Sequence, residues 1–197
     1  MKIVKKYLVF ILGLFIFSTG ISFGNKSLLG GNPMSILVVG LSKHIPFSIG
    51  TCNLIVGIVE IIIGFILDKK NITLATFIGL ICGSYSIDIA NMFIPDTSVL
   101  GIRIIYMYVG IICYCLGLSL QHKAACGYGN LDCFNFGIKK ALNLKDYHTA
   151  RWISDAIFVV SGFLLGGIVN VGTALLLCFA GLIIEFFKKI LDKLFND

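Results

Sequence analysis

The sequence predicts an all-α membrane protein of six transmembrane helices in two inverted three-helix repeats, each with a short half-helix or interfacial helix after its first span. Three observations predict it. Of 197 residues, 57% are hydrophobic and 13% charged, with a mean hydropathy of +0.96, more apolar side chain than one soluble core of this size can hide. The apolar residues fall into six runs, 7–23, 47–67, 72–93, 102–120, 152–168 and 171–187, of roughly the 17 to 25 residues that cross a bilayer. The chain is also duplicated. Gly13, Gly20, Ser22, Lys26, Gly30, Gly40 and Lys43 meet Gly110, Gly117, Ser119, Lys123, Gly127, Gly137 and Lys140 at a spacing of 97; Thr51, Ile55, Gly64, Phe65, Leu67 and Gly83 then meet Thr149, Ile153, Gly162, Phe163, Leu165 and Gly181 at 98. A repeat this long exceeds a solenoid unit and reads as two halves, 1–95 and 96–197, of a single membrane domain.

The first run, MKIVKKYLVFILGLFIFSTG, has the basic start and apolar core of a signal peptide. Its repeat partner at 102–120 lies in mid-chain, so a retained helix is expected. Next comes KSLLGGNPMSILVVGLSK, 26–43. Asn32 suits an N-cap and Pro33 a first helical position, where the missing N–H costs nothing; Gly30 and Gly31 allow the turn and a close backbone approach. As a helix, 33–43 rises only about 16 Å, roughly half the hydrocarbon thickness. A half-helix returning from mid-membrane would aim free N–H groups at the midplane, where they favour an anion or partial negative charge. The second copy, Gly127, Tyr128, Gly129, Asn130 and onward from Leu131, would enter from the opposite face. Alternatively both segments lie at the interface, where Phe134, Ile138 and Leu142 with Lys139 and Lys140 of the second copy make a surface amphipath.

In the second run Glu60 stands about 18 Å from the outer end by helical rise, where a carboxylate must be protonated, paired, or facing water or protein. The third run carries Asp88 and ends at Pro95, Asp96, Thr97 and Ser98, the joint between halves. Arg103 opens the fourth run from the same edge, so an Asp88–Arg103 pair is expected; Tyr106, Tyr108 and Tyr114 read as belt and packing residues. Arg151 and Asp155 fall one turn apart at the start of the fifth run and can pair. Glu185 belongs to the inner interface beside Lys188 and Lys189. At the spacing of 98, Glu60 meets Phe158 and Asp88 meets Phe186, which predicts an asymmetric site. Gly79 with Gly83, and Gly162 with Gly166, have the small-xxx-small spacing of close helix contacts, chiefly within the bundle and secondarily in a homodimer.

Basic residues set the orientation. With a cytoplasmic N-terminus, that side holds Lys2, Lys5, Lys6, Lys69, Lys70, Lys123, Lys139, Lys140, Lys145, Arg151, Lys188, Lys189 and Lys193, leaving Lys26, Lys43 and Arg103 outside. Both termini are then cytoplasmic. Three spans per half put the halves upside down relative to each other, the arrangement many secondary carriers use.

The net charge of +6 sits in short clusters between apolar runs, which argues for bilayer orientation and against a nucleic-acid partner. Most of the cysteines lie in apolar runs, where free Cys is a small hydrophobe. His122, Cys126, Cys133 and His148 share one basic loop, but their spacing fits no standard zinc pattern, and no metal or other cofactor is expected. No nucleophile–base pair, zincin motif or phosphate loop occurs, so an enzyme is not expected.

Gly127 through Asp132, then Arg151, Asp155, Gly162, Gly166, Gly167, Gly172, Thr173 and Gly181 in ARWISDAIFVVSGFLLGGIVNVGTALL, resemble the YczE and YitT-like group of bacterial multi-pass membrane proteins. GGNPMSILVVGLS and IGTCNLIVGIVEIIIG in the first half resemble the same group. That group carries no agreed substrate; the resemblance implies a bacterial membrane protein and raises Arg151 and Asp155 above routine anchors. Asn130 and Leu131 stand where the group's pattern leads one to expect a proline-containing turn. The leading expectation is a small-solute carrier or permease in the lipid bilayer. Its site lies near Gly30, Gly31, Asn32, Glu60, Gly127 and Asn130, with Asp88, Arg103, Arg151 and Asp155 in ion-pair or gating roles, and a coupling ion is a candidate partner. The competing expectation is a non-transporting scaffold or accessory protein for a membrane or secreted partner.

Overall fold

A computed structural model describes residues 3–195; Lys2, counted above, lies outside them. Among the described residues the chain forms eight α-helices and no strand: α1 (Ile3–Ser27), α2 (Pro33–Ser42), α3 (Ile49–Leu67), α4 (Leu74–Phe93), α5 (Leu100–Ala124), α6 (Asn130–Ala141), α7 (Tyr147–Leu164) and α8 (Val171–Phe195), with a 3-10 turn at Lys69–Asn71. Four helices, α1 from Val4, α3, α4 and α5, are long and apolar enough to cross a membrane. That is fewer than the six expected. The 18 residues of α7 include His148, Arg151 and Asp155, and the second half of α8 carries Glu185, Lys188, Lys189, Asp192 and Lys193.

The molecule is turned inside out relative to a soluble domain. Leu12, Phe15, Ile62, Phe65, Ile105, Phe179 and Leu182 face outward, while Ser18, Ser22, Thr76, Ser119, Asn135 and Ser154 are buried. Hydrocarbon surroundings call for this distribution, because apolar side chains gain nothing by leaving lipid and polar ones need partners within the bundle.

The duplication recurs in the backbone. Equivalent helices start 97 residues apart, except α3 and α7 at 98. Ser18 Oγ and Ser22 Oγ each donate 3.1 Å hydrogen bonds, to Gly83 O and Ile87 O, and tie α1 to α4. In the second half Cys115 Sγ and Ser119 Oγ donate to Ala180 O at 3.9 Å and Ile184 O at 3.1 Å, tying α5 to α8. These pairs correct the spacing read for the last helix. With 18 residues, α7 is one shorter than α3, so the spacing returns to 97 by the start of α8, and Gly83 corresponds to Ala180 rather than Gly181, and Asp88 to Glu185 rather than Phe186. Each such bond contributes only about 0.6 kcal/mol in a membrane interior, enough to set register.

Close packing at glycine holds the two halves together. A methyl group at Gly20 would lie 2.8 Å from Gly110 O, and one at Gly117 2.7 Å from Gly13 O. The partner number falls as the residue number rises, so α1 and α5 run antiparallel. The halves are also interlaced: α2 packs against α7 and α6 against α3. A methyl at Gly162 would lie 2.5 Å from Leu37 N, and one at Gly64 3.0 Å from Cys133 O, equivalent contacts in the two halves.

Candidate functional site

The two short helices place the site. In α2, Asn32 is the N-cap, its Oδ1 accepting from Ser35 N at 3.0 Å, and Pro33 is the first helical residue, as the sequence predicts. The glycine before it, Gly30, has φ +91°, and a methyl there would sit 2.5 Å from Thr173 Oγ1 of α8; glycine is required by both the backbone and the space. Gly127, at φ +144°, repeats this against Thr73.

The second short helix, α6, packs most of its length against the bundle. Cys133, Phe134, Asn135, Gly137 and Ile138 are buried, Phe134 stacks on Phe158 of α7 with ring centroids 5.8 Å apart, and only the end bearing Lys140 and Leu142 is exposed. Its buried side is partly polar. Asn135 Oδ1 accepts from Ser154 Oγ at 2.5 Å, its Nδ2 donates to Tyr147 Oη at 3.3 Å, and Tyr147 Oη donates to Asp132 Oδ1. Burial, then the Asp132 carboxylate, push the Tyr147 phenol well above its ordinary value, so it stays a donor. The N-cap of α6 is Gly129, with no side-chain cap.

Both N-termini open into one cavity of about 100 Å³, room for roughly three waters at about 30 Å³ each and hence for a small solute rather than a peptide. Asn32 and Ser35 line it from α2; Gly129, Asn130 and Asp132 line it from α6. Leu14, Ser18, Gly83 and Tyr114 form part of its apolar-to-neutral wall, while Asn53, Gln121, His122 and Arg151 add polar groups.

Of the predicted residues, Asn32, Gly127, Asn130 and Arg151 reach this cavity. Glu60 stands directly behind it. The carboxyl is 2% exposed, Asn130 Nδ2 donates to Oε2 at 2.5 Å, and Oε1 has no partner among the described residues. Gly30 and Gly31 line two smaller clefts instead, with Gly30 packed on α8. Arg151 Nε lies 3.8 Å from Asp155 Oδ2, the expected pair one turn apart.

The expected Asp88–Arg103 pair does not form. Asp88 accepts from Ser48 Oγ at 2.6 Å and Gly50 N at 2.7 Å, a second cap on α3, whose first turn already binds Ser48; the helix dipole favours the carboxylate there. Arg103 Nε donates to Thr97 O at 2.9 Å, closing the joint between halves. Sequence reasoning also missed Asp132 as a side chain of the site, together with His122, Gln121 and Asn53. A signal was present: at the repeat spacings, His122, Asp132 and Arg151 fall on Asn25, Ser35 and Asn53, three substitutions of charged or titratable for neutral within an otherwise matched frame. Among the described residues no three His, Cys, Asp or Glu side chains converge as metal ligands; Cys133 Sγ instead donates to Asn71 O at 3.3 Å.

The chain belongs to DUF6198, a family of unknown function, whose profile matches residues 4–189. It is similar to the uncharacterised protein YyaS of Bacillus subtilis (strain 168), 26% identical over 193 residues and 96% of both chains. It is also similar to an uncharacterised protein of Haemophilus influenzae, 26% identical over 166 residues, 84% of this chain and 75% of that one. No solved structure matches it significantly. The expectation of a family with bacterial members and no assigned activity is met, while none of these matches carries the YczE or YitT name.

Proposed function

We propose that this DUF6198 protein is a non-enzymatic carrier of a small solute across the bacterial plasma membrane, with its site in the cavity shared by α2 and α6. The observation that carries the reading is that the short helices of the two copies open into one shared cavity, backed by a buried carboxyl at Glu60. Half-helix N-termini at the meeting of two repeats suit substrate binding because their free N–H groups need no side chain to present them.

Six spans and an inverted repeat are part of the proposal. Supporting them, α7 and α8 stand at the positions of α3 and α4 in the repeat, and α5 runs antiparallel to α1. The cross-contacts also sort by side. Lys26 pairs with Asp96 at 2.8 Å, and Lys43 Nζ donates to Gly166 O at 2.6 Å, at ends assigned to the outer face. Lys123 pairs with Asp192 at 2.5 Å and Lys140 with Asp68 at 3.2 Å, at ends assigned to the cytoplasmic face with both termini. Residues 1–95 and 96–197 form the two halves of one membrane domain, and a homodimer is compatible with their apolar exterior.

The test is uptake into proteoliposomes of a panel of labelled amino acids, carboxylates, amines and sugars. At least one solute should enter faster than into protein-free vesicles, and Arg151→Gln should slow it about tenfold or more without loss of folded protein. No uptake by any member of a broad panel would count against the carrier.

A further inference from the structure

We infer that Glu60 is a proton-binding site, exchangeable with water through the cavity, and that the proton is the ion coupled to transport; the coupling rests on the carrier reading, whereas the site itself does not. The buried carboxyl faces one donor, Asn130 Nδ2, and its second oxygen faces none among the described residues. Among the described residues no ion pair joins a cation to it. From α6, the ionisable neighbours are Asp132, itself acidic and bound by Tyr147, and the Cys133 thiol, which donates to Asn71 O. The α2 helix contributes no ionisable residue. On α4, Cys82 and Tyr85 are exposed, and Asp88 is committed to the far end of α3. Lys69 and Lys70 follow the other end of α3, with Asp68 and Lys140 joined there.

A carboxylate with one neutral donor, a like charge nearby and no counter-ion is strongly disfavoured in such a place. The neutral acid fits it: one oxygen accepts from Asn130 and the other carries the proton. Asn130 is also the first residue of α6 and lines the cavity, so the acid is separated from the solute space by one side chain. The repeat supports a role beyond packing, because the equivalent position in α7 is Phe158, which fills the same place without any polar group. Losing the proton would leave Glu60 ionised, and then donors must turn towards it. Candidates are the N–H groups of α6's first turn, which have no side-chain cap and adjoin Asn130, whose side chain already reaches Glu60. Proton release and the geometry of the cavity mouth are coupled through that helix end.

Infrared difference spectroscopy on the full chain in lipid nanodiscs tests the site without knowing the solute. At neutral pH the wild type should show a protonated-carboxyl band that is absent in Glu60→Gln, shifts in D2O, and disappears reversibly on alkaline titration. Asn130→Ala should shift the same band without abolishing it, which keeps the assignment testable if Glu60→Gln folds poorly. Absence of the band at neutral pH overturns the site, as does a band indifferent to both D2O and alkali, since that would be a static acid. For coupling, an imposed pH gradient should accelerate uptake of whichever panel solute is carried in wild type and not in Glu60→Gln; equal responses overturn the coupling. A titrating band with no solute movement would sink the carrier and leave the proton site. Uptake with an ionised Glu60 would do the reverse.

Discussion

The two short helices, α2 and α6, occupy equivalent places in the repeat and are finished differently. Each begins after a positive-φ glycine, each packs across the divide onto the third helix of the other half, and each ends near a lysine that reaches that helix's C-terminus. Their first turns differ. Asn32 caps α2 and Pro33 stiffens it, whereas α6 lacks a side-chain cap and its first residue is tied to Glu60. Around α2 the neighbours are Asn25, Ser35 and Asn53; around α6 the same places hold His122, Asp132 and Arg151. Backbone contacts were kept through divergence while the polar groups at the cavity changed. Scaffold and site thus answer to different constraints: a glycine at a backbone-to-backbone contact has no substitute, whereas a cavity-facing side chain can be exchanged without disturbing the packing.

The widest break in that comparison should come from the scaffold, and it should be symmetric. Gly20→Ala and Gly117→Ala each force a methyl against the facing backbone and should each cost about 3 kcal/mol or more, read as lost thermal stability and lost monodisperse protein in detergent. A large effect at one and none at the other would end the claim of equivalence. Next comes the asymmetric pair at the first helical position. Asn130→Ala strips the buried Glu60 of its donor and should cost about 2 kcal/mol, while Pro33→Ala at the equivalent position should stay within about 0.5 kcal/mol; thermal melts of both variants check it. The caps sharpen the contrast further. Asn32→Ala should lose about 1 kcal/mol, and Gly129→Asn, which gives α6 the cap of α2 in open space, should gain a few tenths. The smallest effects belong to the ion pairs Lys26–Asp96 and Lys123–Asp192. Alanine at either lysine should cost at most about 0.5 kcal/mol, equally in both halves and less in high salt.

Much of this was legible in the residues. Asn32 and Pro33 announced α2, because a cap followed by proline is written in adjacent positions. The repeated glycines announced the close contacts of α1 with α5. Glu60 and Asn130 were both candidates, since a carboxyl deep in an apolar helix needs a partner. The rest depended on relations no local pattern carries. The burial of α6 was hidden because its core is polar: Asn135, buried against Ser154 and Tyr147, reads as a surface residue until α7 is laid beside it. Asp88 was misassigned because the nearest cation along the chain is Arg103, whereas the nearest donors in space are at the start of the preceding helix. The acid equivalent to Asp88, Glu185, was hidden by the one residue by which α7 is shorter than α3. Spacing drawn from identical glycines cannot see a slip that falls between them.

The interlacing of α2 with α7 and of α6 with α3 has a consequence for biosynthesis. When α2 emerges from the ribosome, its packing partner lies about 100 residues away and is not yet made. At about 5–20 residues per second the first half waits on the order of ten seconds. During that interval the face of α2 around Ile36, Leu37 and Gly40 that will receive α7 must be held by lipid or by the insertion machinery. The first half is therefore a bound intermediate rather than a finished unit, and its maturation is timed by the translation of the second.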